Sequence, residues 1–144
     1  MDTHIRAMEE RDLPAVSRIY NQSAVATTYS YTLVDTKIAD RLSWWREQMA
    51  DDRPVLIAEV DGVTAGYANY HRFRAGGGYD VTAEVTIWLD TPARGRGVGR
   101  KLMTELIRHA RADHRLHNLL SVVDSDNDRS IGFHSAMGLS LIHI

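Results

Sequence analysis

Arg94-Gly95-Arg96-Gly97-Val98-Gly99 follows closely on the run Glu84–Leu89 and opens a long amphipathic stretch. Glycine at 95, 97 and 99 removes Cβ atoms that would hold a bulky anion away from the backbone. A strand, loop and helix in that order would aim free helix N-terminal amides at the space left. Arg94, Arg96 and Arg100 add charge-assisted donors around it. Phosphate, and pyrophosphate above all, is the guest such a loop suits. Upstream, Glu84 places a carboxylate on the preceding run. Downstream, "DSDNDRSIGFHSAMG" supplies Asn127 and His134, an amide and an imidazole.

Other readings of these residues compete. A Walker loop needs Ser or Thr after its lysine, and Lys101 is followed by Leu102. A dinucleotide fingerprint needs a third glycine where Arg100 stands and an early strand-helix-strand unit around it. An RNA-binding arginine-glycine segment would interleave aromatic residues, which are absent here. Glu84 could simply face water, Asn127 could be only a helix cap, and His134 could be a packed helix histidine. The spacing of His109, His114 and His117 does not suit a metal site.

The elements that must hold these groups can be read from periodicity. "HIRAM" suits a strand and "EERDLPAVSRIYNQ" a helix with Pro14 in its first turn. The irregular segment Ser23–Thr36, rich in Thr, Ser and Tyr, is a candidate binding loop. Ile38, Leu42, Trp45 and Met49 predict a second helix. "PVLIAEV", Asp61-Gly62 and "VTAGYANYHRF" predict a β-hairpin. In "VTAEVTIWL", Val81, Ala83, Val85, Ile87 and Leu89 alternate with polar positions and with Trp88. Val98, Leu102, Met103, Leu106, Ile107 and Ala110 form a helical stripe. "NLLSVV" is a short strand, a helix capped near Asn127 ends at Gly138, and Leu139–Ile144 opens a further strand. The predicted order is β-α-α-β-β-β-α-β-α-(β) in one α/β domain over residues 1–144.

Composition fits an ordinary globular protein: 144 residues, 44% hydrophobic, 25% charged, net charge −2. Nothing global points to nucleic acid or a membrane, so the basic loop is a local feature. The absence of cysteine removes thiol nucleophiles, thiolate metal sites and disulfides, and suits a cytoplasmic location.

The hexapeptide, together with Glu84 upstream and "SDNDRSIGFHSAMGL" downstream, resembles the Gcn5-related N-acetyltransferase (GNAT) family. "YDVTAEVTIWL" resembles the phosphinothricin and methionine sulfoximine acetyltransferase branch, in which Y-x-x-T-x-E leads into the coenzyme strand. The resemblance implies a GNAT fold whose last strand pair lies beyond Ile144, so that the domain would be truncated at its C-terminus. It implies acetyl-CoA as co-substrate with no metal, a small-molecule primary amine as acceptor, and a possible homodimer. An amino-acid-like compound such as phosphinothricin or methionine sulfoximine would be the acceptor. On that reading the coenzyme is held by Ile87, Trp88 and Leu89, by Arg94, Gly95, Arg96, Gly97, Val98, Gly99 and Arg100, and by Asn127. Glu84 is the base, His134 the proton donor to the leaving thiolate, and Tyr31, Arg74 and Tyr79 line the acceptor site. Where the branch carries an Arg just ahead of the Tyr, this sequence has Ala75-Gly76-Gly77-Gly78 before Tyr79, with Arg72 and Arg74 displaced. The alternative is a non-catalytic coenzyme-binding module that has kept the fold.

Overall fold

The structure is a computed structural model that describes residues 2–22 and 37–141. Five strands form one sheet in the order β1-β2-β3-β4-β5: β1 (Thr3–Ala7), β2 (Val55–Val60), β3 (Val63–Arg72), β4 (Thr82–Leu89) and β5 (Asn118–Leu120). The first four are antiparallel. The β2–β3 hairpin turns at Asp61 and Gly62, both with positive φ (49° and 82°), as a tight Asp-Gly turn demands. β4 and β5 run parallel, so their link must cross a face of the sheet, and helix α3 (Val98–Ala112) makes that crossover.

Strand alternation divides the sheet into two faces. Ala83, Val85, Ile87 and Leu89 of β4 point toward α3, as their spacing predicts, and pack with Leu56, Ala68 and Tyr70 against Val98, Leu102, Met103, Leu106 and Ala110. Leu102, Met103 and Leu106 are fully buried, each contributing about 1.5–3 kcal/mol of hydrophobic stabilisation. The opposite face carries Ile57, Tyr67 and Trp88 under α1 (Leu13–Tyr20) and α2 (Ile38–Ala50), with Val16, Ile19, Leu42, Trp44 and Trp45 in contact. The Arg41 guanidinium lies 4.5 Å from the Tyr20 ring centroid and 4.2 Å from that of Trp44, tying α1 to α2.

Four expectations change, the first being that the buried strand read over residues 118–123 stops at Leu120 and leaves Val122 exposed. Helix α2 does not bury Ile38 and Met49, which are exposed; its inner face is Leu42, Trp44, Trp45 and the buried Gln48, whose amide donates to the Tyr70 carbonyl at 3.0 Å. Val81 is exposed because β4 begins one residue later. Residues 139–141 follow helix α4 (Asp128–Ala136) without forming a strand. The Leu139 amide instead closes the helix onto the His134 carbonyl, after Gly138 at φ 94°.

Candidate active site

The β4–β5 ladder is short: it runs from Thr82↔Asn118 to Glu84↔Leu120 and stops. Beyond it β4 continues five residues to Leu89, still in register with β3. Meanwhile the polypeptide after Leu120 turns away through Asp124, whose carboxylate and carbonyl accept from the amides of Asp126 and Asn127. The gap between the diverging segments is a cavity of about 280 Å³. Its walls are Glu84 to Trp88 of β4, Tyr20 of α1, residues 121–124, and Asn127, Ser130 and His134 of the last helix.

Glu84 sits where the two strands part, about three-quarters buried. It faces the α1/α2 side, opposite His71 in the β3 register, with Oε2 3.9 Å from His71 Nε2. His134 reaches the same cavity from α4 and is 8% exposed. Its Nδ1 lies 2.7 Å from the Ser130 carbonyl and 3.3 Å from the Ser130 hydroxyl; because the closer carbonyl can only accept, we assign the ring proton to Nδ1. Nε2 is then free to accept, and the Ser121 hydroxyl stands 3.0 Å from it. Asn127 caps α4, its Oδ1 accepting from the Ser130 amide at 3.2 Å, and it also lines the cavity.

At the far end of β4 the glycine loop joins the strand to helix α3. The Arg18–Asp90 ion pair (2.9 Å) anchors the backbone as it leaves the strand, and a turn over Thr91–Ala93 buries Ala93. Gly95 and Gly97 both have positive φ, 73° and 80°, and Gly97 is the N-cap of α3. The position a Cβ would take on Gly97 is open space. Gly99 serves differently: a Cβ there would lie 3.2 Å from Leu89 Cδ1 and 3.5 Å from Phe133, so its role is close packing of α3 against strand and α4. Arg96 and Arg100 are exposed. Arg94 is half-buried and donates to the Leu89 carbonyl at 3.4 Å. The fifteen-residue α3 presents its amide end to this loop, and the residues fit a diphosphate bound there.

The structure therefore brings Glu84, Ile87, Trp88, Asn127 and His134 around one cavity. Leu89 is not part of its lining; its side chain lies against Gly66 and Gly99. Tyr79 and Arg74 gather around Phe73 in the exposed β3–β4 connection, the Tyr79 ring 5.9 Å from it and the Arg74 guanidinium 4.8 Å, and neither lines the cavity. Tyr31 lies outside the described residues. Among the described residues no cluster of His, Cys, Asp and Glu could hold a metal ion.

Four contributors are not evident from sequence. Ser121 and Tyr20 enter the cavity from remote elements, His71 meets Glu84 only through strand register, and Arg129 of α4 brings Nη2 within 3.8 Å of where a Gly95 Cβ would be. Register could have suggested His71, since β3 and β4 are both legible, but the glycine-rich connection leaves the pairing undetermined.

Comparison with known proteins extends the geometry. A family model described as "Acetyltransferase (GNAT) family" matches residues 14–139. The L-methionine sulfoximine/L-methionine sulfone acetyltransferase of Salmonella typhimurium is 32% identical over 139 residues, covering 95% of this chain and 80% of that protein. An L-amino acid N-acyltransferase of Escherichia coli is 30% identical, covering 93% and 77%. The crystal structure of a GNAT superfamily phosphinothricin acetyltransferase from Sinorhizobium meliloti in complex with acetyl-CoA superposes with a TM-score of 0.94 at 26% identity, over 99% of this chain and 77% of that one.

Proposed function

This chain belongs to the acetyltransferase (GNAT) family, and we propose that it transfers the acetyl group of acetyl-CoA to the primary amine of a small amino-acid-like molecule. One observation carries the reading: the glycine loop and Glu84 lie at opposite ends of the stretch of β4 that runs on past β5. From Glu84 to Leu89 that stretch covers about 16 Å at strand rise. An extended coenzyme arm can lie along it like an added strand, diphosphate at the α3 amides and thioester beside Glu84. The backbone amides of β4 then also face the oxygen on which charge develops.

Two protons must leave the acceptor nitrogen. An ammonium is not nucleophilic, so Glu84 first takes one proton and later returns it to solvent, to which it is partly open. Attack on the carbonyl carbon then leaves a positively charged nitrogen that must lose a second. His134, neutral and with Nε2 as the accepting atom, takes that proton and passes it to the departing thiolate. His134 is thus a shuttle that both gains and gives up its proton within the reaction.

Polar groups also lie on the face that carries Glu84: Asn69 Oδ1 and Trp88 Nε1 are buried there and make no hydrogen bond among the described residues. Buried polar groups are normally paired, so this face favours water or a polar acceptor over an aliphatic amine. The names of the relatives, which refer to amino acids and their analogues, point the same way. The experiment is titration calorimetry with acetyl-CoA followed by thiol release over a panel of amino acids, methionine sulfoximine, phosphinothricin and simple alkylamines. Thiol release with the amino-acid-like members supports the reading; coenzyme binding with no acetylated amine in the panel refutes it.

A further inference from the structure

We propose that Ser121 is a nucleophile, and that without an amine the protein acetylates this serine and hydrolyses the ester, giving it a slow acetyl-CoA hydrolase activity. The inference rests on acetyl-CoA occupying the β4–β5 gap. Ser121 is the first residue after β5 and lines the cavity that holds Glu84, Ile87 and His134. Its hydroxyl stands 3.0 Å from His134 Nε2. The ring cannot turn this nitrogen into a donor while neutral, because Nδ1 at 2.7 Å from the Ser130 carbonyl holds the proton. The Ser121 hydroxyl therefore donates, and its oxygen is left with lone pairs for attack.

That is the arrangement of an activated hydroxyl: nucleophile, imidazole base, and a third group fixing the tautomer. The third group here is a backbone carbonyl one helical turn back on α4, held in place by the Asn127 cap. A carbonyl stabilises the imidazolium less than a carboxylate does, which is why the activity is slow.

The step balances without any further reactant. The Ser121 Oγ–carbon bond forms as the hydroxyl proton passes to His134 Nε2. The carbon–sulfur bond breaks and the thiolate takes that proton, leaving CoA thiol and acetyl-Ser121. Water then adds to the ester, its proton passing through Nε2 to Ser121 Oγ as the carbon–oxygen bond breaks. The acetic acid formed loses its proton to solvent.

The test is acid-quenched intact-mass and peptide mass spectrometry of the protein incubated with acetyl-CoA and no amine, alongside thiol release. The expected result is one acetyl group on the peptide containing Ser121, removable by neutral hydroxylamine. Ser121→Ala and His134→Gln should both lack it, and amine-free thiol release should fall about tenfold or more in Ser121→Ala. Acetyl groups only on lysines, or equal thiol release by wild type and Ser121→Ala, overturn the proposal. If the wild type acetylates amines yet never carries acetyl on Ser121, the proposal falls alone. If it neither binds acetyl-CoA nor acetylates an amine, the proposed function falls with it.

Discussion

His71 and Glu84 face each other across the β3–β4 ladder with Nε2 and Oε2 3.9 Å apart. That separation lies within ion-pair range but beyond a hydrogen bond, so only the protonated form of His71 acts on the carboxylate, and it does so through charge. Both groups are in contact with solvent, which holds such an effect to about 1 kcal/mol or less. His71→Leu should change kcat/KM for the amine by about fivefold or less. The change should shrink in high salt, as a screened interaction must. Steady-state kinetics at two ionic strengths check this.

Gly97 and Gly62 form a matched pair. Both have φ near 80° and neither would bring a Cβ within 4 Å of another atom, so alanine at either position costs backbone strain alone, about 1–2 kcal/mol. Thermal unfolding should show similar losses for Gly97→Ala and Gly62→Ala. On the proposed coenzyme site only Gly97→Ala should weaken acetyl-CoA, by about tenfold or more, because only there would the methyl group enter the space proposed for the diphosphate. Calorimetry separates the two.

Arg129 belongs to α4 yet approaches the loop at Gly95. Arg129→Ala should raise the Kd for acetyl-CoA several-fold and reduce its salt dependence, with little effect on melting temperature because the residue is exposed. A Kd unchanged at low salt would remove Arg129 from the coenzyme site.

Acid stability should follow two carboxylates. Hydrogen bonds from the Arg115 guanidinium hold Asp113 well below the usual carboxylate range against the opposing effect of burial, helped by the Arg115 amide and the Tyr70 hydroxyl. Burial works to raise Asp12, but the paired bonds from Arg6 at 2.8 Å and the Glu9 amide outweigh it, and Asp12 too is lowered. A folded-state value below the unfolded one, about 3.9, stabilises the protein above that pH and is lost as pH falls toward the folded value. Melting temperature should drop between about pH 5 and pH 2. Asp113→Asn should lower it at neutral pH and flatten the acid limb. Asp12→Asn, which leaves Arg6 paired with Glu59 alone, should cost about 1–3 kcal/mol.

Much of this fold is legible locally. The Asp61-Gly62 turn, the alternation from Ala83 to Leu89 and the stripe from Val98 to Ala110 each follow from neighbours in sequence, and each predicts its element. The glycine loop is legible for the same reason: its φ values and the helix after it are local properties. Helix α2 misleads because Ile38 and Met49 satisfy helical spacing without a surface to meet, while Trp44 and Gln48 find one. The cavity is less legible because it arises from the early end of β5, a long-range pairing. Ser121 becomes a site residue only because the strand stops at Leu120, and Tyr20 only because α1 packs beside β4.

The central claim is that Glu84 draws a proton from an amine beside a thioester lying along β4. The direct measurement is thiol release by wild type and Glu84→Gln at saturating acetyl-CoA, with the best amine of the panel titrated and acetyl-CoA affinity measured in parallel. The account predicts a fall in kcat/KM for the amine of about 10²–10⁴-fold with coenzyme affinity nearly unchanged. Glu84→Gln turning over the amine as fast as wild type would contradict it.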